Sequence, residues 1–148
     1  MSVYPGAKVL ERTVIIAEDE KWFIGDFCLV TVPKLMIGSG SQINAGTKVL
    51  GRELVSIGRR SVVSYDCLLL TSSDTPNPTE WKHNDFSPED ERRIKSQSIV
   101  IGDDCFIGAK CVLMPGVCVP MKTVIPAGSY VYMKQGEHYY RPLGEVSK

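Results

Sequence analysis

IGDDCFIGAKCVLMPGVCVPMKTVIPAGSYV, residues 101–131, sets an aliphatic residue at every sixth position: Ile101, Ile107, Leu113, Val119, Ile125 and Val131. Four places after the first five of these stand Cys105, Cys111, Val117, Thr123 and Ser129, all compact. A helix would repeat at 3.6 and a half-buried strand at 2, so a step of six fits neither. It fits a coil with three short flat faces, in which each hexapeptide supplies one face and one corner. The aliphatic rung then points into the prism and the compact residue sits near the corner, where space is tightest.

The same ladder runs upstream with interruptions. Ile37, Ile43 and Val49 keep the step, with Ser41 and Thr47 in the compact slot. After a short slip, Ile57, Val63 and Leu69 resume it, followed by Ser61 and Cys67, and Ile24 with Cys28 reads as an earlier rung. Glycine follows the rung at Gly25, Gly38, Gly58, Gly102 and Gly108, where a tight corner is expected to exploit its freedom in φ. A sandwich would instead show alternation with turn signals every 8–12 residues. The pattern predicts an all-β parallel β-helix, a single domain over 1–148, with an irregular N-terminal coil over 1–23 and a tail over 132–148.

Seventeen acidic residues balance seventeen basic ones, so nothing points to an electrostatic grip on nucleic acid or on an anionic membrane. No segment reaches the length of apolar chain that crosses a bilayer. The start, MSVYPGAKVLERTV, lacks the basic and apolar regions of a secretion signal, and a cytoplasmic location is expected. Of five cysteines, Cys28, Cys67, Cys105 and Cys111 occupy the compact slot and Cys118 lies one place from it. No CxxC spacing occurs, so they read as small buried hydrophobes, and no metal is expected.

The ladder breaks after Leu69 and returns near Ile101. Between them the chain is polar, carries three prolines, and holds Trp81 and His83. Such an insertion must leave the prism, because its backbone polar groups could not be satisfied inside, and it predicts an excursion loop over 71–98. Ser87 is placed to cap a short helix, with Pro88 in its first turn and Asp90 completing the spacing of a capping box. Long loops inside regular domains are usually functional or disordered. Prisms packed side by side would bury flat faces and form clefts at their seams, so a homotrimer is expected.

The segment 101–131, with its AGS turn, and INAGTKVLGRELVSIGRRSVVSYDCLLLTSSD, residues 43–74, resemble the hexapeptide-repeat acyltransferases. Among these they are similar to sugar O-acetyltransferases of the maltose and galactoside type and to those that modify capsule or O-antigen sugars. The resemblance implies a left-handed parallel β-helix, an exception to the right-handed crossover rule, and a trimer as the working unit. It also implies acetyl-CoA as co-substrate and direct transfer to a small polar acceptor, a sugar or sugar nucleotide, at an intersubunit cleft.

In that family a histidine in a T-x-x-H-P motif removes the acceptor's proton. Here TSSDTPN sets Asp74 at that place, a departure, since a carboxylate ordinarily titrates near 4 and imidazole near 6.5. Burial would raise a carboxylate and suit it to the task; alternatively His83 takes over, or catalysis has been lost. Asn44 matches an asparagine that holds the acceptor, and Trp81 lies in the excursion over the same cleft. The resemblance assigns the pantetheine arm to backbone beside Phe106, Gly108, Ala109, Ala127 and Gly128, with Lys134 near a CoA phosphate. A zinc enzyme of the same fold would need three histidines, and the chain has two, His83 and His138. The rival is a hexapeptide-repeat trimer that binds a sugar or other ligand without catalysis.

Overall fold

The computed structural model describes residues 3–74, 78–80, 82, 88–89, 93–134 and 137–142, with Lys134 and residues 137–142 described by backbone alone. Three parallel sheets wrap a three-sided prism. The first face stacks β1 (Lys8–Val9), β4 (Leu29–Val30), β7 (Lys48–Leu50), β10 (Leu68–Leu70), β15 (Val112–Leu113) and β18 (Ser129–Lys134). The second stacks β2 (Val14–Ala17), β5 (Lys34–Ile37), β8 (Val55–Ile57), β13 (Ile99–Ile101) and β16 (Cys118–Val119). The third stacks β3 (Trp22–Ile24), β6 (Ser41–Ile43), β9 (Val62–Val63), β14 (Phe106–Ile107) and β17 (Val124–Ile125). The chain visits the faces in turn, which is the solenoid that the six-residue step predicts, and it is consistent with a left-handed β-helix.

Register puts every rung over its counterpart one coil away. Val30, Val49, Leu69, Leu113 and Val131 align on the first face, Ile37, Ile57, Ile101 and Val119 on the second, and Ile24, Ile43, Val63, Ile107 and Ile125 on the third. All are buried, and each such side chain contributes about 1.5–3 kcal/mol by leaving water. The stretch before residue 23 lacks the repeat in sequence, yet it supplies β1 and β2, in register with β4 and β5.

The compact slot has a chemical reason beyond space. Ser61 Oγ donates to the Gly102 carbonyl at 2.7 Å and accepts the Cys105 amide at 3.0 Å, and Thr47 Oγ1 donates to Ser64 O at 2.8 Å while accepting the Cys67 amide at 3.2 Å. Cys67, Cys105 and Cys111 donate their thiols in the same way to Gly108, Pro120 and Pro126 carbonyls at 3.0–3.2 Å. A short side chain with a donor stitches one coil's corner to the next, where the backbone turns away from its ladder.

The glycines behind the rungs require a correction. Gly25, Gly38, Gly58, Gly102 and Gly108 are not in the left-handed region; three places after the third-face rungs Phe27, Gly46, Asp66, Lys110 and Gly128 are, three places after the second-face rungs Gly40, Arg60, Asp104 and Lys122 are, and on the remaining corner Gly51 and Gly116 are. The rung-following glycines are instead points of close approach. A Cβ at Gly102 would sit 2.7 Å from the Met121 nitrogen, and one at Gly25 would sit 2.8 Å from that of Ala45. Bare backbone lets successive coils stack there.

The excursion leaves at the corner between first and second faces. Thr71 is buried, and its Oγ1 accepts the Glu53 amide at 3.1 Å. β11 (Ser72–Asp74) and β12 (Ile94–Ser96) then zip the excursion's base as an antiparallel pair, and the Gln97 amide returns to Thr71 O at 2.8 Å. The helix expected from Ser87 lies outside the described residues. At the far end β18 overruns β15, and β19 (Glu137–Pro142) lies antiparallel against it, covering an edge that would otherwise stay open.

Candidate functional site

The corner between third and first faces carries most of the residues that the resemblance singles out. Its coils are linked in one column: the Asp66 amide donates to Ala45 O, Lys110 to Tyr65 O and Gly128 to Ala109 O, at 3.1, 2.9 and 2.8 Å. Asn44 lies at the same corner, buried, its backbone carbonyl accepting the Cys28 thiol at 3.1 Å. Gly108 rests directly on Ala127, whose Cα would lie 2.6 Å from an added Cβ. Gly128 has φ +71°, and a Cβ built on it would meet nothing within 4 Å. Phe106 is exposed beside Val124 on the third face, next to this corner. The fold thus brings Asn44, Phe106, Gly108, Ala109, Ala127 and Gly128 to one edge. Over the last two coils Ala127 is exposed and Ala109 and Gly128 partly so, above a buried Gly108, and none of the four carries a bulky side chain. Lys134 ends β18, and its side chain is not described.

Asp74 stands at a different corner, at the end of β11, exposed. With Arg52, Ser72, Ser73 and Ile94 it lines a concavity of about 230 Å³. The slip in the repeat builds this place, since the Arg52 amide donates to Ser72 Oγ at 3.2 Å and Ser96 Oγ donates to Glu53 Oε1 at 3.0 Å. Within one chain the first face separates Asp74 from Asn44 and the Gly108 edge. Trp81 and His83 lie outside the described residues.

A larger cleft, of about 590 Å³, opens between the excursion's base and the overrun of β18. Met114, Pro115, Tyr130 and Tyr132 line it with Ser73, Lys95 and Gln97. Tyr130 and Tyr132 flank the rung Val131 on the outer side of β18, ring centroids 5.4 Å apart. The sequence reading missed this cleft. Its one visible signal is the pair of tyrosines bracketing the last rung, a place where the family likeness directs attention to Lys134.

Electrostatics elsewhere are structural. Arg60 grips Asp104 one coil away through two contacts of 2.7 and 3.0 Å, and that hydrogen bond holds the Asp104 carboxyl below the usual range. Arg59 reaches Glu18 at 2.8 Å. Cys67 is raised far above an ordinary thiol by its hydrogen bond with Cys111 and by burial, which suits a structural role. Cys118 is exposed on the second face. Among the described residues no three His, Cys, Asp or Glu side chains gather as metal ligands, and no helix is long and apolar enough to cross a membrane.

Residues 98–133 match the family described as the hexapeptide repeat of succinyl-transferase. No curated protein matches the chain in sequence. Among solved structures, AntD, an N-acyltransferase from Bacillus cereus in complex with dTDP and 3-hydroxybutyryl-CoA, is 17% identical. It matches 93% of this chain and 80% of its own, with a TM-score of 0.58. A mutant of AntD in complex with dTDP-4-amino-4,6-dideoxyglucose and coenzyme A is likewise 17% identical, over 95% and 83% of the two chains, with a TM-score of 0.60. With the rungs in register on all three faces, the chain carries a hexapeptide repeat that the family model matches over residues 98–133, and it shares its fold with an N-acyltransferase over nearly its whole length.

Proposed function

We propose that this protein is an acyl-CoA-dependent O- or N-acyltransferase, acting on a small polar acceptor such as a sugar or sugar nucleotide. The observation that carries the reading is the small-residue edge in which Ala109, Ala127 and Gly128 reach the surface over the buried Gly108 on the last two coils, leaving no bulky side chain there. A pantetheine arm presents amides that suit backbone, and small residues allow close approach. The AntD complexes, which hold acyl-CoA or coenzyme A with a thymidine nucleotide on this fold, support the same assignment.

The chemistry is direct transfer. The acceptor's hydroxyl or amine attacks the thioester carbonyl carbon and loses its proton to a base. The tetrahedral oxyanion collapses, the acyl group stays on the acceptor, and CoA leaves as the thiol. Backbone amides near the cleft stabilise the oxyanion. Asp74 or His83 is the base. Asp74 is exposed in a single chain, so its role requires a second copy to cover it, and a homotrimer supplies that cover. The exposed apolar side chains of Ile16 and Met36 on the second face, with Val100 beyond Ser56 in the same row, support self-association, because exposed apolar patches mark contact sites.

The test is thiol release from acetyl-CoA in the presence of a panel of sugars, amino sugars and sugar nucleotides. Acceptor-dependent release, lost in Asp74→Asn or His83→Gln while the protein stays folded, is the expected result. The second reading, a ligand-binding trimer without catalysis, draws support from the aspartate standing where the family has histidine. Absence of acceptor-dependent release together with absence of CoA binding by calorimetry would establish it in place of the first.

A further inference from the structure

We infer that Cys67 and Cys111 form a redox-active dithiol, which a peroxide converts into a disulfide stapling together the two coils on either side of the excursion. Both occupy the compact slot at the corner between third and first faces, in the column Cys28, Thr47, Cys67, Cys111 and Ser129. The pairs Leu68↔Val112 and Leu69↔Leu113 set Cys111 directly one coil beyond Cys67. Among the described residues this is the one place where cysteines occupy neighbouring coils of one corner. Cys28 meets Thr47, and Cys105 lies between Ser61 and Thr123. Neighbouring strands stand about 4.7–4.9 Å apart, inside the range of about 4.4–6.8 Å that a disulfide accepts between Cα atoms. The two thiols are already within hydrogen-bond reach of each other.

The sulfurs are not equivalent. With both protonated, Cys67 donates to the Gly108 carbonyl at 3.2 Å and Cys111 to the Pro126 carbonyl at 3.1 Å. When Cys111 gives up its proton, Cys67 turns its own toward the Cys111 sulfur. That hydrogen bond, helped by the backbone amides of Ser129 and Gly128, brings Cys111 down to about 7, while Cys67 is held protonated. The thiolate is the nucleophile in thiol oxidation, so Cys111 attacks and Cys67 resolves. The Cys111 sulfur takes one oxygen of hydrogen peroxide as a sulfenic acid, and the other leaves as hydroxide, which the proton released from Cys111 turns to water. The Cys67 sulfur then attacks the Cys111 sulfur, the S–O bond breaks, and the hydroxyl leaves with the Cys67 proton as a second water. Two thiols and one peroxide thus become one disulfide and two waters. Both side chains are buried, and the cover on the Cys111 side is thin: a Cβ on Gly128, next to Ser129 in the following coil, would meet nothing within 4 Å. Oxidation also strips the Gly108 carbonyl of its thiol donor, and so acts on the small-residue edge from behind. None of this depends on the transferase reading.

The test uses the full chain carrying Cys118→Ser, which removes the exposed thiol. After peroxide treatment of the folded protein and tryptic digestion without reductant, residues 61–82 should be joined to residues 111–122, each then holding a single cysteine. The cross-link should be complete before Met121, exposed in the second of these peptides, is oxidised. It should raise Tm by about 5–10 °C by closing the long loop that contains the excursion, and dithiothreitol should reverse both changes. Serine fills the same slot at Ser61 and Ser129, so Cys67→Ser and Cys111→Ser keep the fold. In Cys67→Ser, Cys111 should accumulate as a sulfenic acid trapped by dimedone; in Cys111→Ser, Cys67 should stay reduced over the same time. Oxidation of Met121 with the pair still reduced, joining of either sulfur to another cysteine, or sulfinic acid without a cross-link would overturn the inference. So would a complete cross-link that lowers Tm, or oxidation of Cys67 at an undiminished rate in Cys111→Ser.

Discussion

An alanine at Gly108 would place its Cβ 2.6 Å from the Ala127 Cα and 2.8 Å from the Pro126 carbonyl carbon, with the Ala127 amide nitrogen closer still. Every one of those atoms is backbone. They belong to a coil hydrogen-bonded to Gly108 itself, whose amide donates to Ile125 O at 2.8 Å. Strands in a sheet stand about 4.7–4.9 Å apart, so relief would require prising two coils apart and losing ladder bonds. Overpacking of this kind costs about 1–3 kcal/mol, and rigid neighbours put Gly108→Ala at the upper end. The unfolded chain loses freedom on the same change, which offsets about 0.4–1 kcal/mol. A net loss of about 2 kcal/mol remains, or about 6 °C in Tm for a chain of this length. Gly128→Ala is the comparator. There the added methyl meets nothing within 4 Å and only the left-handed φ of +71° opposes it. That strain is about 1–2 kcal/mol, largely cancelled by the same unfolded-state offset, so Tm should fall by about 2 °C. Thermal melts followed by circular dichroism decide between them. Equal shifts, or a larger fall in Gly128→Ala, would refute the claim that these glycines act through coil spacing instead of backbone freedom.

Further outcomes follow from the same geometry. Gly128→Ala, nearly harmless to the fold, should weaken CoA by several-fold in calorimetry if the pantetheine arm lies along that corner, and unchanged affinity would remove Gly128 from the site. Ile107→Ala should cost about 2–5 kcal/mol as a core cavity, whereas Phe106→Ala, exposed next door, should scarcely move Tm and should act on ligand binding instead. Ser61→Ala strands the buried Cys105 amide and Gly102 carbonyl and should cost about 1–3 kcal/mol, while Ser61→Cys, borrowing the chemistry of the neighbouring slots, should cost less. Asp104 is held below the ordinary carboxylate range by Arg60, so its contribution is present above the unfolded value of about 4 and is lost as pH falls through the lower folded value. The Tm gap between wild type and Asp104→Asn should therefore close on acidification below that window, and a gap that widens there would refute the pairing.

The fold was legible because its rule is local and repeated. Ile101 to Val131 states the six-residue step without a break, and each rung's fate depends on its own phase in the repeat. The glycines show where that reading failed. A glycine next to a rung carries no mark in sequence that separates close approach from left-handed backbone, since the neighbour that decides it lies a full coil away. Gly58, for instance, is pressed by Gly102 and Asp103 across the excursion. The stretch before residue 23 hid for a related reason. Val14–Ala17 adds an apolar run with no six-step phase, and only pairing with Lys34–Ile37 makes it a face.

The candidate site was less legible because it is assembled at corners and the repeat governs faces. A three-sided coil delivers residues to three separate edges. Gly108 and Gly128 fall on one edge, Asp74 on another, and the Arg60–Asp104 ladder on the third. Each placement follows from phase: a residue one to three places beyond a third-face rung turns onto the first of these edges, and the slip after Leu50 is where the chain repeatedly loosens between first and second faces. Arg52 belongs to that slip, as does the excursion one coil later. A base at Asp74 and a thioester at Gly128 therefore cannot share a chamber within one chain, because the first face stands between them. If transfer occurs, two copies must contribute unlike edges to one cleft. Mixing Asp74→Asn chains with Gly128→Trp chains should then restore part of the activity that each variant lacks alone, because some clefts in a mixed assembly receive both intact edges. Full absence of complementation, with mixed assemblies verified by native mass spectrometry, would mean that the two edges do not meet and that the base lies elsewhere.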